Sequence, residues 1–212
     1  MKGRQTIDTV YIRLRQAATV GATLLAATAA VAQAPSVSMF GFTLGSPVHL
    51  PDCPVALIGT NGRKFYEPLV PQTCVQDAAP LTGYGVPVRR IVFTGPETPL
   101  VVKNWTLFAL EIDGKLAGLH FITAGIDTQS LVLSQLVDKF GQPTSSTYTK
   151  VQNRAGAVYD TVVAEWHTPN HHVVFSGTLS RLDVGEVTID LPAAHALRKS
   201  WRHQDRQFER KM

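Results

Sequence analysis

Within AEWHTPNHHVVFSG, residues 164–177, three histidines, His167, His171 and His172, stand near the carboxylate of Glu165. Imidazoles and carboxylates are the donors of zinc and copper sites, so the first question is whether the chain brings them together. Successive strand side chains point to opposite faces. Over residues 161–167 this sends Val162, Ala164 and Trp166 one way and Val163, Glu165 and His167 the other. Thr168-Pro169-Asn170-His171 supplies a turn. With His167 opposite His172, Trp166 faces Val173 and Ala164 faces Phe175, so every apolar partner falls on one side. The later run GEVTIDL, residues 185–191, then places Asp190 beside His172 in one register. His167, His172 and Asp190 are therefore the candidate metal ligands, and a metal-binding protein or metallo-hydrolase is the function they would imply. Zinc requires three or four ligands with supporting hydrogen bonds. Polar side chains at a hairpin tip are also what a sheet with one wet face displays. The sequence favours the polar rim, with His171 solvated in the turn.

No other stretch carries a recognisable chemistry. The chain lacks GxSxG and HExxH, and GYGVP, residues 83–87, has no phosphate-loop Lys or Ser/Thr beside its glycines. His120, in GLHFI, has no nucleophile placed beside it by spacing. No catalytic residue and no cofactor is expected, and the reading leans away from an enzyme.

The elements that would position these side chains begin after an export signal. Residues 1–16 hold Lys2, Arg4, Arg13 and Arg15 against Asp8, and an uncharged Ala-rich run ends in Ala30-Val31-Ala32. A basic start, a small apolar run and an Ala-x-Ala exit predict a secretory signal over 1–32, cleaved near Ala32, and a periplasmic or secreted protein. Of the 20 basic and 16 acidic residues, four and one fall in this segment, leaving 16 against 15. Residues 198–212 take six basic and two acidic side chains of those, so the body from 33 to 197 is slightly acidic. A nucleic-acid partner is excluded on that charge distribution.

Cys53 and Cys74 both follow the signal, and an even count in an oxidising compartment predicts one disulfide. Residues 33–100, rich in Pro and Gly, read as an irregular disulfide-bonded lobe. Residues 101–197 read as a hairpin-helix-hairpin module of the same domain. Asp113-Gly114 is the turn dipeptide of its first hairpin. Val132, Leu133, Leu136, Val137 and Phe140 recur at helical spacing over about 127–140, with Asp127 as cap and Gly141 as stop. The fold class expected is α+β, a mainly antiparallel sheet with one packed helix and a C-terminal helix started at Pro192.

Lys139-Phe140-Gly141-Gln142-Pro143-Thr144 and Trp166 resemble a pattern found in small exported bacterial α+β domains, outer-membrane assembly factors and inhibitor-like periplasmic proteins among them. In these a helix ending in a phrase like KYGxPT packs on an antiparallel sheet. The resemblance spans roughly residues 104–191 and implies a fold and no activity. The chain lacks the lipid-acceptor Cys of the assembly factors. The expected function is a non-catalytic binding protein whose partner is another envelope protein. In the basic tail, residues 198–212, Trp201, Arg202, Arg206 and Phe208 have the composition of a weak membrane-surface contact.

Overall fold

Among the described residues eight strand segments build one antiparallel sheet. The computed structural model describes residues 36–77 and 88–209, with the backbone alone for 202–209. The export signal expected over 1–32 and the GYGVP stretch lie outside these residues. Two short ribbons come first, β1 (Ser38–Met39) with β2 (Phe42–Thr43), and β3 (Val55–Ile58) with β4 (Lys64–Tyr66). The sheet follows, from β5 (Cys74–Asp77), β6 (Val88–Val92), β7 (Thr106–Ile112), β8 (Lys115–Thr123), β9 (Ser145–Gln152), β10 (Val158–His167), β11 (His172–Ser176) and β12 (Gly185–Asp190). Its spatial order among the described residues is β5-β6-β7-β8-β12-β11-β10-β9, antiparallel throughout. With α1 (Gln129–Phe140) and α2 (Pro192–Glu209) the protein is α+β, mainly antiparallel sheet.

The first face of the sheet is the core. Trp166, Phe121 and Phe175 are fully buried there, and α1 lays Val132 and Leu136 onto them. Each large apolar side chain taken from water contributes about 2 to 3 kcal/mol, which is what holds an otherwise open sheet to its helix. Val75 of β5, Ile91 of β6 and Met39 of the leading ribbon belong to the same core, so the change of sequence character near residue 100 marks no edge of it. The Pro-rich stretch contributes two strands of the main sheet because Val75 and Ile91, paired across β5 and β6, complete its apolar face.

Both ends of α1 are tied to β10. The helix begins at Gln129 after a 3-10 turn over Gly125–Asp127, so Asp127 lies in that turn and Thr128 holds the cap position. The Thr128 hydroxyl accepts the Ala124 N–H at 3.1 Å and makes no cap bond to the helix. Gln129 grips β10 instead, accepting the Val162 N–H at 3.0 Å and donating to the Asp160 carbonyl at 3.1 Å. At the other end Gly141, at φ 77°, returns its N–H to Val137. The Trp166 indole N–H donates to the Gly141 carbonyl at 2.8 Å, and Thr144 exchanges hydrogen bonds with Glu165 and His167. The helix exit and the tryptophan, the two stretches that carry the sequence resemblance, are thus in direct contact.

The sheet's second face is crossed at one end by α2. Ala194, Leu197 and Trp201 pack on Val88, Leu110 and Ala117. The helix starts at Pro192, as its fixed φ and missing N–H favour, and its backbone continues to Glu209. At the sheet edges, β9 presents Ser, Thr and Lys side chains, while β5 is flanked by the bridge from Asp52 to Val75. Among the described residues no helix is long and apolar enough to cross a membrane.

Candidate functional site

The register of the β10–β11 hairpin sets His167 opposite His172, Trp166 opposite Val173 and Ala164 opposite Phe175. The next strand sets Asp190 opposite His172. The three sequence candidates, His167, His172 and Asp190, are therefore neighbours on the second face, as strand parity requires. The ring centroids of His167 and His172 are 4.9 Å apart. A third imidazole arrives from α2: His195 lies 3.9 Å from His172 and 6.2 Å from His167.

Asp190 is held by a cation from α2. It is 1% exposed beneath α2, and its two oxygens accept from Arg198 Nε at 3.1 and 3.0 Å. Burial raises its carboxyl above the usual range, with Arg198 and then His195 and His120 pulling the other way. The carboxylate has a fixed cation already, and that cation would repel a metal bound at the same oxygens. Gly118, its cross-sheet neighbour, leaves the space it occupies, since a Cβ there would stand 2.2 Å from Asp190 Oδ1. Among the described residues no group of three or more His, Cys, Asp or Glu side chains is arranged to hold a metal ion. The Asp190–Arg198 pair is a buried latch that fastens α2 to the end of β12, with three imidazoles beside it.

The remaining histidines have neighbours of their own. His171, expected to be solvated, is half-buried; its ring lies 5.3 Å from Phe140 and Nδ1 is 3.1 Å from the Thr168 hydroxyl. Burial lowers its pKa below the ordinary 6.5, favouring the neutral ring. His120 pairs with Glu186 at 3.2 Å between β8 and β12. An open groove of about 410 Å³, lined by Phe40, Phe42, Pro47, Val48, Leu50 and Leu116 among others, holds His49 as its ionisable residue. Phe40, Phe42, Val48 and Leu50 also pack against the core. Neither cluster nor groove combines a base, a nucleophile and an enclosed cavity.

A different region breaks the ordinary rule of burial. Cys53 and Cys74 are bonded, with Cα atoms 5.0 Å apart, and the loop they close carries the β3–β4 ribbon. Its base is fixed by backbone bonds from Cys53 to Val75, Val75 to Pro51 and Glu67 to Pro54. Every residue of β3 is exposed. Leu57 is 58% exposed, Ile58 64% and Leu69 81%, and Val55 and Phe65 are exposed as well. Leu57 stands opposite Phe65, Ile58 opposite Lys64 and Val55 opposite Tyr66. The register shifts between Val55 and Leu57, so the cross-strand pairs put Leu57 and Phe65 on one face of the ribbon and Val55 and Ile58, with Tyr66 and Lys64, on the other. The Arg63 guanidinium lies 5.4 Å over the Phe65 ring. Lys64 pairs with Asp77 at 2.7 Å, and the Tyr66 hydroxyl accepts the Asp77 N–H at 3.0 Å.

The sequence reading missed both His195 and this ribbon. His195 was hidden because only the packing of Ala194 beside Gly118 fixes which helix face meets the histidines. The ribbon had a signal: VALIG between Cys53-Pro54 and a Gly-rich turn is apolar without alternation, inside a covalent loop too short to cover both of its faces. In the tail, Trp201 is partly buried against the sheet. The side chains of Arg202, Arg206 and Phe208 lie outside the described set. No family model, curated protein or solved structure matches this chain.

Proposed function

We propose that this is an exported protein that acts by binding, through the disulfide-closed β3–β4 ribbon, and performs no chemistry of its own. One observation carries the reading: large apolar side chains are held exposed on a ribbon locked at its base by a covalent bond and backbone hydrogen bonds. Apolar groups left in water gain nothing for the fold, and a preorganised cluster of them marks a contact surface. Export is supported by the sequence of residues 1–32 and by the disulfide, which persists in oxidising compartments. The resemblance to small exported α+β domains belongs to the same reading, supported by the contact between Gly141 and Trp166.

A photoreactive amino acid at position 57, and at position 147 on β9 as control, tests it in living cells. Adducts to an envelope component are expected from position 57 and not from 147. Equal labelling from both positions, or none from 57, overturns the reading.

A further inference from the structure

We infer that the surface engaged by the ribbon is an anionic lipid headgroup layer, into which Leu57, Ile58 and Phe65 insert. This rests on the binding role proposed above and names its occupant. A protein groove receives one face of an added strand pair and leaves the other in water. Here both faces carry exposed apolar side chains, Leu57 with Phe65 on one and Val55 with Ile58, beside Tyr66 and Lys64, on the other. Side chains displayed all round an element suit a medium that surrounds it, as the interfacial layer of a bilayer does.

The charges agree. Between the two cysteines the ionisable groups are Arg63, Lys64 and Glu67 with Tyr66. Arg63 belongs to the turn end of the ribbon, where it is joined to Gly59 by a backbone bond, and Lys64 next to it is held by Asp77 at 2.7 Å. Glu67 sits toward the base, bonded through its N–H to Pro54. The acids Asp52 and Asp77 are also at the base, beside Arg89 and Lys64 respectively. The turn end thus carries Arg63 beside its apolar side chains, while the neighbouring Lys64 is already neutralised by Asp77. Long basic side chains lay their stems along apolar surface and lift their charges to the headgroups, and Arg63 over Phe65 already has that arrangement. Each cation near an anionic leaflet is worth about five-fold in affinity, and salt weakens the attraction.

The test is flotation of the purified, oxidised full chain with vesicles of phosphatidylcholine alone or mixed with phosphatidylglycerol. The wild type is expected to float with the anionic vesicles at low salt and to be released at high salt. Leu57→Ser with Ile58→Ser should weaken flotation more than about ten-fold, and Arg63→Glu about five-fold or more. Lys150→Glu on β9 should change nothing, and unchanged melting temperatures establish that each variant is folded. A wild type that stays with the unbound fraction overturns the proposal. So does binding that survives the ribbon substitutions and disappears on deletion of residues 203–212, which would assign it to the tail. If vesicle binding fails while position 57 crosslinks to a protein in cells, the lipid inference falls and the binding role stands; if both fail, both fall.

Discussion

The β10–β11 hairpin turns Trp166, Val173 and Phe175 inward and is held by what they bury, whereas the β3–β4 ribbon turns Leu57, Ile58 and Phe65 outward and is held by a bond between Cys53 and Cys74. A two-stranded ribbon alone is marginal in water. The first hairpin escapes that limit by joining a sheet with a helix on its core face. The second escapes it by covalent closure and backbone bonds at its base, which leave its side chains uncommitted to the fold. Burial and display are alternative uses of the same residue types, and the means of fixing the backbone decides between them.

The largest test of this contrast is a matched pair of truncations. Trp166→Ala should cost about 3 to 5 kcal/mol in urea unfolding, since it opens a core cavity and leaves the Gly141 carbonyl without its donor. Phe65→Ala should stay within about 0.5 kcal/mol. A comparable loss at Phe65 would mean that the ribbon is part of the core after all.

Next is the latch under α2. Arg198→Met leaves Asp190 buried without its cation and should cost about 3 to 4 kcal/mol near neutral pH. Burial already raises the folded-state pKa of Asp190, so its stabilising contribution is fully present below the unfolded pKa and is lost as pH rises through the folded one. Removing Arg198 pushes that pKa further up, so the penalty should shrink as pH falls and Asp190 takes a proton. A penalty independent of pH between 4 and 7, a range set by roughly the carboxylate and neutral values, would contradict the latch.

Opening the disulfide should cost about 3 kcal/mol in the chain-entropy model for a loop of this size. Because Cys74 begins an edge strand, near-ultraviolet circular dichroism from the buried aromatics should persist after reduction while the 53–74 loop becomes sensitive to protease. Loss of the whole tertiary signal at once would show that the ribbon and the sheet stand or fall together.

The smallest effect is in the tip of the buried hairpin. His171 has its pKa lowered by burial, so its contribution is present above the unfolded value of about 6.5 and is lost as pH falls through the folded one. Thermal melts of His171→Gln should therefore decline less steeply than wild type on acidification below that value. Parallel curves would mean that the ring is as solvated as its turn position suggests.

Much of the sheet was legible because parity is a local property. The alternation in residues 161–167 fixed which side chains met across β10, β11 and β12, and the register followed from matching Trp166 with Val173. Asp113 and Gly114 both have positive φ, at 52° and 70°, as their turn demands. What was not legible depends on elements distant in sequence. The role of Asp190 turned on α2 reaching back eight residues later with Arg198, and its burial turned on the missing side chain of Gly118 across the sheet. Exposure of VALI was hidden for another reason: an apolar strand reads the same whether it faces a core or water, and only the absence of a covering element separates the two.

An open antiparallel sheet is a template for its own growth, and its last strand decides whether copies stack. β9 ends this one with SSTYTKVQ, in which Lys150 is held at 3.0 Å from Asp160 and every side chain but Val151 is exposed. Another molecule approaching that strand edge would have to displace water from a row of hydroxyls, with the Tyr148 ring as the large apolar group β9 offers in return. That hydroxyl-lined edge makes β9 a poor starting point for strand-on-strand growth, in a protein that elsewhere holds apolar side chains in water.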